Sequence, residues 1–260
     1  MPGSWWQLLL ARFEPASIAD PLWRRALSGC ALARRLDDQQ QDQLRRLASR
    51  FLARKRFHSI AGVMLDDYWR LLITMQACLP ALQQGTACLR GWRDVLVYPG
   101  EFKVRRHHHD DCTSLAQAAG FAWAGEPHEG QPLVLSLADV QLDLEQPWDG
   151  YNVVLHEMAH RLDMLDGPID GTPPLVDIPR PRWIEQFQQA HQRLLASGPD
   201  DPLSTIDPHA AESVGEYFAV ATELHYSQPA FLQQAEPAIA ELLETFYGRS
   251  PAYGRESDPR

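Results

Sequence analysis

The sequence predicts an α+β fold, mainly helical, in which a small sheet backs one buried helix. Three observations carry this reading. Helical spacing of apolar residues dominates the first 90 positions, two β-rich runs follow at Asp94–Tyr98 and Pro132–Leu137, and Tyr151–Asp163 wraps apolar residues around a polar triplet. At 260 residues and 45% hydrophobic, the chain can bury a sizeable core. It reads as one compact unit, with an N-terminal helical region over 1–90 packing on a core over 91–260.

In chain order, Asp37 and Asp38 offer caps for a helix through Arg56, with Leu44, Leu47, Phe51 and Leu52 on its apolar side. Its basic residues, Arg45, Arg46, Arg50, Arg54, Lys55 and Arg56, read as a solvated cationic face rather than a binding patch. A second helix is expected from Asp66 to Leu79, stopped by Pro80. Asp94–Tyr98 ends as a strand at Pro99-Gly100. Leu133–Leu137 is expected to be an exposed edge strand to which an extended peptide adds by backbone pairing, although a continuous apolar run suits an interior strand equally well. Gly167–Pro181, rich in Pro and Gly, cannot be regular helix and is a candidate rim for substrate access. Helices over 182–196, 208–226 and 229–247 close the chain, with a frayed tail beyond.

A formal net charge of −10 argues against nucleic acid as a direct partner. Cys30, Cys78, Cys88 and Cys112 show no Cys-x-x-Cys pairing, so reduced thiols are the default. The start lacks the basic region of a signal sequence, and no apolar run reaches the roughly 18 residues of a membrane span. A cytoplasmic protein without a membrane partner is expected, with Trp5 and Trp6 available to touch another molecule.

The polar triplet of the buried helix is His156-Glu157-Met158-Ala159-His160. Two histidines at i and i+4 point at one spot and can hold a divalent ion, while Glu157, about 100° round the helix from His156, can lean over it and take a proton from water. That is the toolkit of a zinc peptidase. A hydrolytic zinc site wants a third protein ligand and an open fourth position. Glu212, Glu216 and Glu223 lie on nearly one face of the helix expected after Pro208, and any of them can supply it. A carboxylate on a helix face is equally well explained as simply solvated.

The segments HEMAHRLD and DPHAAESVGEYFAVATE, with RFLARKRF, VLVYPGEF and PLVLSLADV before them, resemble the Mlc titration factor A family of zinc-dependent peptidases over about residues 20 to 250. The resemblance implies a zincin-like fold, with His156, His160 and Glu216 as zinc ligands and Glu157 as catalytic base. It also implies a peptide or protein substrate and, as a further partner, an Mlc-like transcriptional repressor. A repressor-sequestering protein in which peptidase activity is secondary is therefore the alternative function. Two departures stand out. Val214-Gly215 replaces the family's Pro-Ala, and His209 stands where the family usually shows tyrosine, a donor to the tetrahedral oxyanion. An imidazole can donate the same hydrogen bond, so His209 is a second catalytic candidate.

Two further features need placing. His107-His108-His109-Asp110-Asp111 reads as a polar surface loop, because adjacent histidines do not converge as those at i and i+4 do. Asp163, three residues past His160, is expected either to orient an imidazole or to make a salt bridge at the helix end.

Overall fold

A computed structural model of the protein describes residues 17–100 and 130–253. Trp5, Trp6, the His107 to Asp111 loop, Cys112 and the end of the expected tail lie outside the described residues. Helices α1 (Asp20–Gly29), α2 (Ala31–Arg34), α3 (Asp38–Arg54), α4 (Asp67–Cys78) and α5 (Ala81–Gln84) form the first part. Asp37 caps α3 in a reciprocal box: its carboxylate accepts the Gln40 N–H at 2.8 Å, and the Gln40 side chain accepts the Asp37 N–H at 3.1 Å. Asp66 caps α4 by accepting the Trp69 N–H at 3.0 Å. Both helices start where their acidic residues predict.

Helix α3 ends two residues earlier than expected, and Arg56–Ser59 form strand β1 instead. Tertiary contacts override helix propensity here. The buried Lys55 ammonium donates to the carbonyls of Leu89 and Trp92 at 2.8 and 2.7 Å and lies 3.2 Å from the Trp92 ring centre. Arg56 forks onto Asp94 at 3.0 and 3.1 Å, and His58 reaches the same carboxylate at 2.7 Å. These contacts set β1 in parallel register on β2 (Asp94–Tyr98), with Arg56 opposite Asp94.

Strand β3 (Leu133–Ser136) pairs in parallel with the other side of β2, giving the order β1-β2-β3. It therefore ends the sheet among the described residues, but all four of its residues are buried. The edge position expected of Leu133–Leu137 is therefore seen among the described residues, whereas the exposure expected there is not. Leu137 is not strand at all: Ser136 caps a helix, α6 (Leu137–Glu145), by accepting the Asp139 N–H at 3.2 Å. The continuous apolar run concealed that start.

Helix α7 (Val153–Asp163) packs on β3, α4 and α6, so the small sheet does back it, and it meets α9 (Val214–Ser227) along much of its length. Helix α8 (Arg180–Ala196) stacks Trp183 on Phe187 and sets both edge-on against Phe218 of α9. The expected 208–226 helix is broken into a 3-10 turn, Pro208–Ala211, and α9, because Ser213 accepts the Glu216 N–H at 3.1 Å and restarts the helix. Likewise 229–247 divides into α10 (Pro229–Ala235) and α11 (Pro237–Tyr247), since Pro237 lacks the N–H needed to continue α10.

Asp163 takes neither of its expected roles. Fully buried at the end of α7, it accepts the Gly171 N–H at 2.7 Å and the Thr172 N–H at 2.9 Å. Trp183 Nε1 donates to the Gly171 carbonyl at 2.7 Å. Gly171, at φ +80, approaches α9 so closely that a Cβ there would lie 2.7 Å from the Val214 carbonyl oxygen, and a Cβ on Gly215 would lie 2.5 Å from Ile169 Cγ2. The Pro- and Gly-rich loop thus straps the end of α7 to the start of α9.

Burial pushes the Asp163 carboxyl up to about 7, against the two N–H groups that favour its ionised form. A folded pKa above the unfolded one contributes stability that is complete below about pH 4 and is lost as pH rises through about 7. Thermal midpoints of the metal-free protein should therefore fall more steeply between about pH 4 and about pH 7 than those of Asp163→Asn. Equal slopes would refute the buried, protonated carboxyl. Gly171→Ala should cost about 2 kcal/mol or more in a denaturant titration, through positive φ and the clash with Val214; an unchanged midpoint would contradict the close approach.

Candidate metal centre

Helix α7 is anchored at its first turn by four groups. Asn152 accepts the Leu155 N–H at 2.9 Å, Asp143 of α6 accepts the Val153 N–H at 2.7 Å, and Glu223 of α9 accepts the Asn152 N–H. Gln76 of α4 accepts from the Asn152 side chain at 2.6 Å. The otherwise orphaned N–H groups are satisfied, and the carboxylates complement the positive end of the helix dipole. Anchored here and by Asp163 at its other end, α7 has little freedom to turn its polar triplet elsewhere.

His156 and His160 bring their Nε2 atoms to 3.2 Å, with ring planes at 81°. From the first turn of α9, Glu216 Oε2 lies 3.1 Å from His156 Nε2 and 3.3 Å from His160 Nε2. Ligand atoms of these three residues fall within 4.8 Å of one another, the only such group among the described residues. The other two carboxylates open from sequence go elsewhere. Glu223 accepts from His156 Nδ1 at 2.8 Å, on the opposite edge of the ring, and the half-exposed Glu212 lies 3.0 Å from His209 Nδ1.

Two imidazole nitrogens and one carboxylate oxygen are the donors that a borderline divalent ion takes in a three-ligand site. Glu223 favours the His156 tautomer with hydrogen on Nδ1, which turns the Nε2 lone pair toward Glu216 and His160. The residues present therefore fit a divalent metal. Glu157, buried on α7 beside His156, adds a negative charge that favours protonation of His160. His209 is also buried; its Nε2 lies 2.8 Å from Glu216 Oε2, its ring stacks on that of His156 at 5.6 Å, and Asp207 accepts its backbone N–H at 2.9 Å.

Burial works against charge on His156, yet Glu216 and Glu223 hold its pKa well above the usual imidazole value. Burial lowers His160; Glu216 opposes that lowering, and the charge on His156 adds to it. Burial would raise the Glu216 carboxyl, but His156, His160 and His209 hold it far below the usual carboxylate range. Burial raises Glu223, with His156 opposing. Proton and metal compete for this cluster, so metal affinity should weaken in acid.

Sequence reasoning missed the anchors. Asn152, a cap residue three positions before Leu155, carried a readable signal; Asp143 and Gln76 are distant in sequence and carried none. Glu223→Gln should keep the helix content while weakening divalent-metal affinity about 10- to 100-fold in chelator competition, because the neutral amide no longer fixes the His156 tautomer. Wild-type affinity in that variant would remove the orienting role.

The profile of the family described as glucose-regulated metallo-peptidase M90 matches residues 5–248. A protein named Mlc titration factor A from Cronobacter sakazakii is 31% identical over 239 residues, 91% of this chain and 89% of the relative. Proteins of the same name from Yersinia enterocolitica and Pectobacterium atrosepticum are each 32% identical, over 234 and 236 residues; both alignments cover 88% of this chain, with 85% and 86% of the respective relatives. The resemblance carried by the HEMAHRLD and later glutamate segments thus extends over nearly the whole chain, which belongs to the glucose-regulated metallo-peptidase M90 family.

Proposed function

We propose that the protein is a zinc-dependent peptidase that hydrolyses peptide bonds, with His156, His160 and Glu216 as the metal ligands and Glu157 as general base. One observation carries the reading: three donors of the right kind converge within 4.8 Å, with a buried carboxylate next to one of them on the same helix. Held by His156, His160 and Glu216, zinc would supply an acidified water and a Lewis acid for the carbonyl oxygen.

Glu157 takes the proton of the attacking water and delivers it to the leaving amine, so one carboxylate serves as base and then as acid. Glu223 keeps His156 in the tautomer that presents Nε2 inward. His209, whose Nε2 lies 2.8 Å from Glu216, is the donor to the oxygen that gathers negative charge, a contact worth about 3 kcal/mol in comparable sites. A cytoplasmic setting accords with Cys30, Cys78 and Cys88, which are free and buried.

A second reading has its own support in the name shared by several relatives, Mlc titration factor A. In it the protein binds an Mlc-like transcriptional repressor, and sequestration rather than cleavage is its main task. The two readings separate at Glu157. Glu157→Gln should retain about one zinc per chain by metal analysis while peptide hydrolysis falls by about 100-fold or more. If that variant still titrates a repressor in cells as wild type does, binding is sufficient; if it hydrolyses peptides at the wild-type rate, Glu157 is not the base. His209→Ala should likewise keep zinc and lose turnover by roughly 100-fold, and unchanged turnover would leave His209 without a catalytic role.

A further inference from the structure

Next to the cluster lies a narrow recess, open to solvent on one side, that shares His156 and His209 with it. Its remaining lining is Asp139, Asp143, Tyr151, Val153, Asp207 and Glu223, four carboxylates and two side chains with apolar surface, without a Lys or Arg among the described residues. Asp143 and Glu223 are buried and occupied in anchoring α7. Asp139 and Asp207 are half-buried. Asp207 holds the His209 N–H through Oδ1, and Asp139 stands in the first turn of α6 with no partner for its carboxylate among the described residues.

We infer that this recess is a specificity subsite for a lysine or arginine side chain adjoining the bond to be cleaved. The inference rests on the peptidase reading and adds the substrate class. A partly enclosed space in which four carboxylates outnumber two imidazoles, with no Lys or Arg among the described residues, disfavours acidic side chains and stabilises a cation, because carboxylate attraction is weakly screened there. Val153 and Tyr151 supply contact for the methylene stem, as long cationic side chains require. Position decides the role: the recess touches His156 and His209, so a side chain seated in it belongs to a residue flanking the reacting carbonyl.

The test uses zinc-loaded full-length protein and matched peptides carrying either lysine or norleucine beside the scissile bond, each with a free or an acetylated N-terminus. Norleucine keeps the stem and removes the charge. The ratio of kcat/KM for lysine over norleucine should be about tenfold or more in both N-terminal forms, the scale of a charge-assisted contact. In Asp139→Asn/Asp207→Asn, which retains an oxygen to hold the His209 N–H, the ratio should fall toward one. Equal cleavage of lysine and norleucine peptides by wild type, or a ratio that survives in the double variant, would overturn the inference. So would discrimination that tracks only the free N-terminus, which would assign the carboxylates to an α-amino group. Failure to cleave any peptide would instead defeat the peptidase reading. The subsite is then read by NMR titration with acetyl-lysinamide against acetyl-norleucinamide, where tighter binding of the lysine compound upholds it and equal binding overturns it.

Discussion

Glu216 Oε2 lies 2.8 to 3.3 Å from the Nε2 atoms of His209, His156 and His160, and that shared oxygen requires α7, α9 and the turn before α9 to meet at one point. The three imidazoles are buried and Glu216 is largely so, and each charge there carries a desolvation cost that its partners offset. Removing one partner leaves the others uncompensated. A divalent cation would place two positive charges against Glu216 and Glu223, which makes the metal itself part of what balances the core at this position.

The surrounding structure over-determines that meeting point. At one end of α7 the N–H groups of Asn152 and Val153 are held by Glu223 and Asp143, and at the other Asp163 grips the loop at Gly171 and Thr172. The loop then presses on Val214 and Gly215, immediately before Glu216. One connection therefore sets the spacing of the two helices from which the candidate metal donors project. A site that must hold donors to a fraction of an ångström gains from such support, because a loosely held ligand loses affinity and geometry together.

The parts of this arrangement that were legible in sequence are those encoded locally. The i, i+4 histidines, the caps at Asp37 and Asp66, and the Pro- and Gly-rich loop each follow from a few neighbouring residues. Choosing Glu216 over Glu212 and Glu223 did not follow from spacing, since all three share roughly one face; the choice depends on how Ser213 starts α9 and where the strap places it. Strand β1 and helix α6 were misread for related reasons. Lys55 and Arg56 leave the helix because Trp92 and Asp94 are waiting in three dimensions, and Ser136 begins a helix within an apolar run that looks like continuous strand. Asp163 shows the same limit at one residue: its proximity to His160 in sequence suggested an imidazole partner, while the fold gives it backbone N–H groups.

A crystal of the zinc-loaded protein, measured on both sides of the zinc absorption edge, would identify the three donors. One strong anomalous peak per chain is expected, about 2.0 to 2.2 Å from His156 Nε2, His160 Nε2 and a Glu216 oxygen. A peak coordinated by Glu212 or Glu223 in place of Glu216, or one located away from α7 altogether, would contradict this assignment.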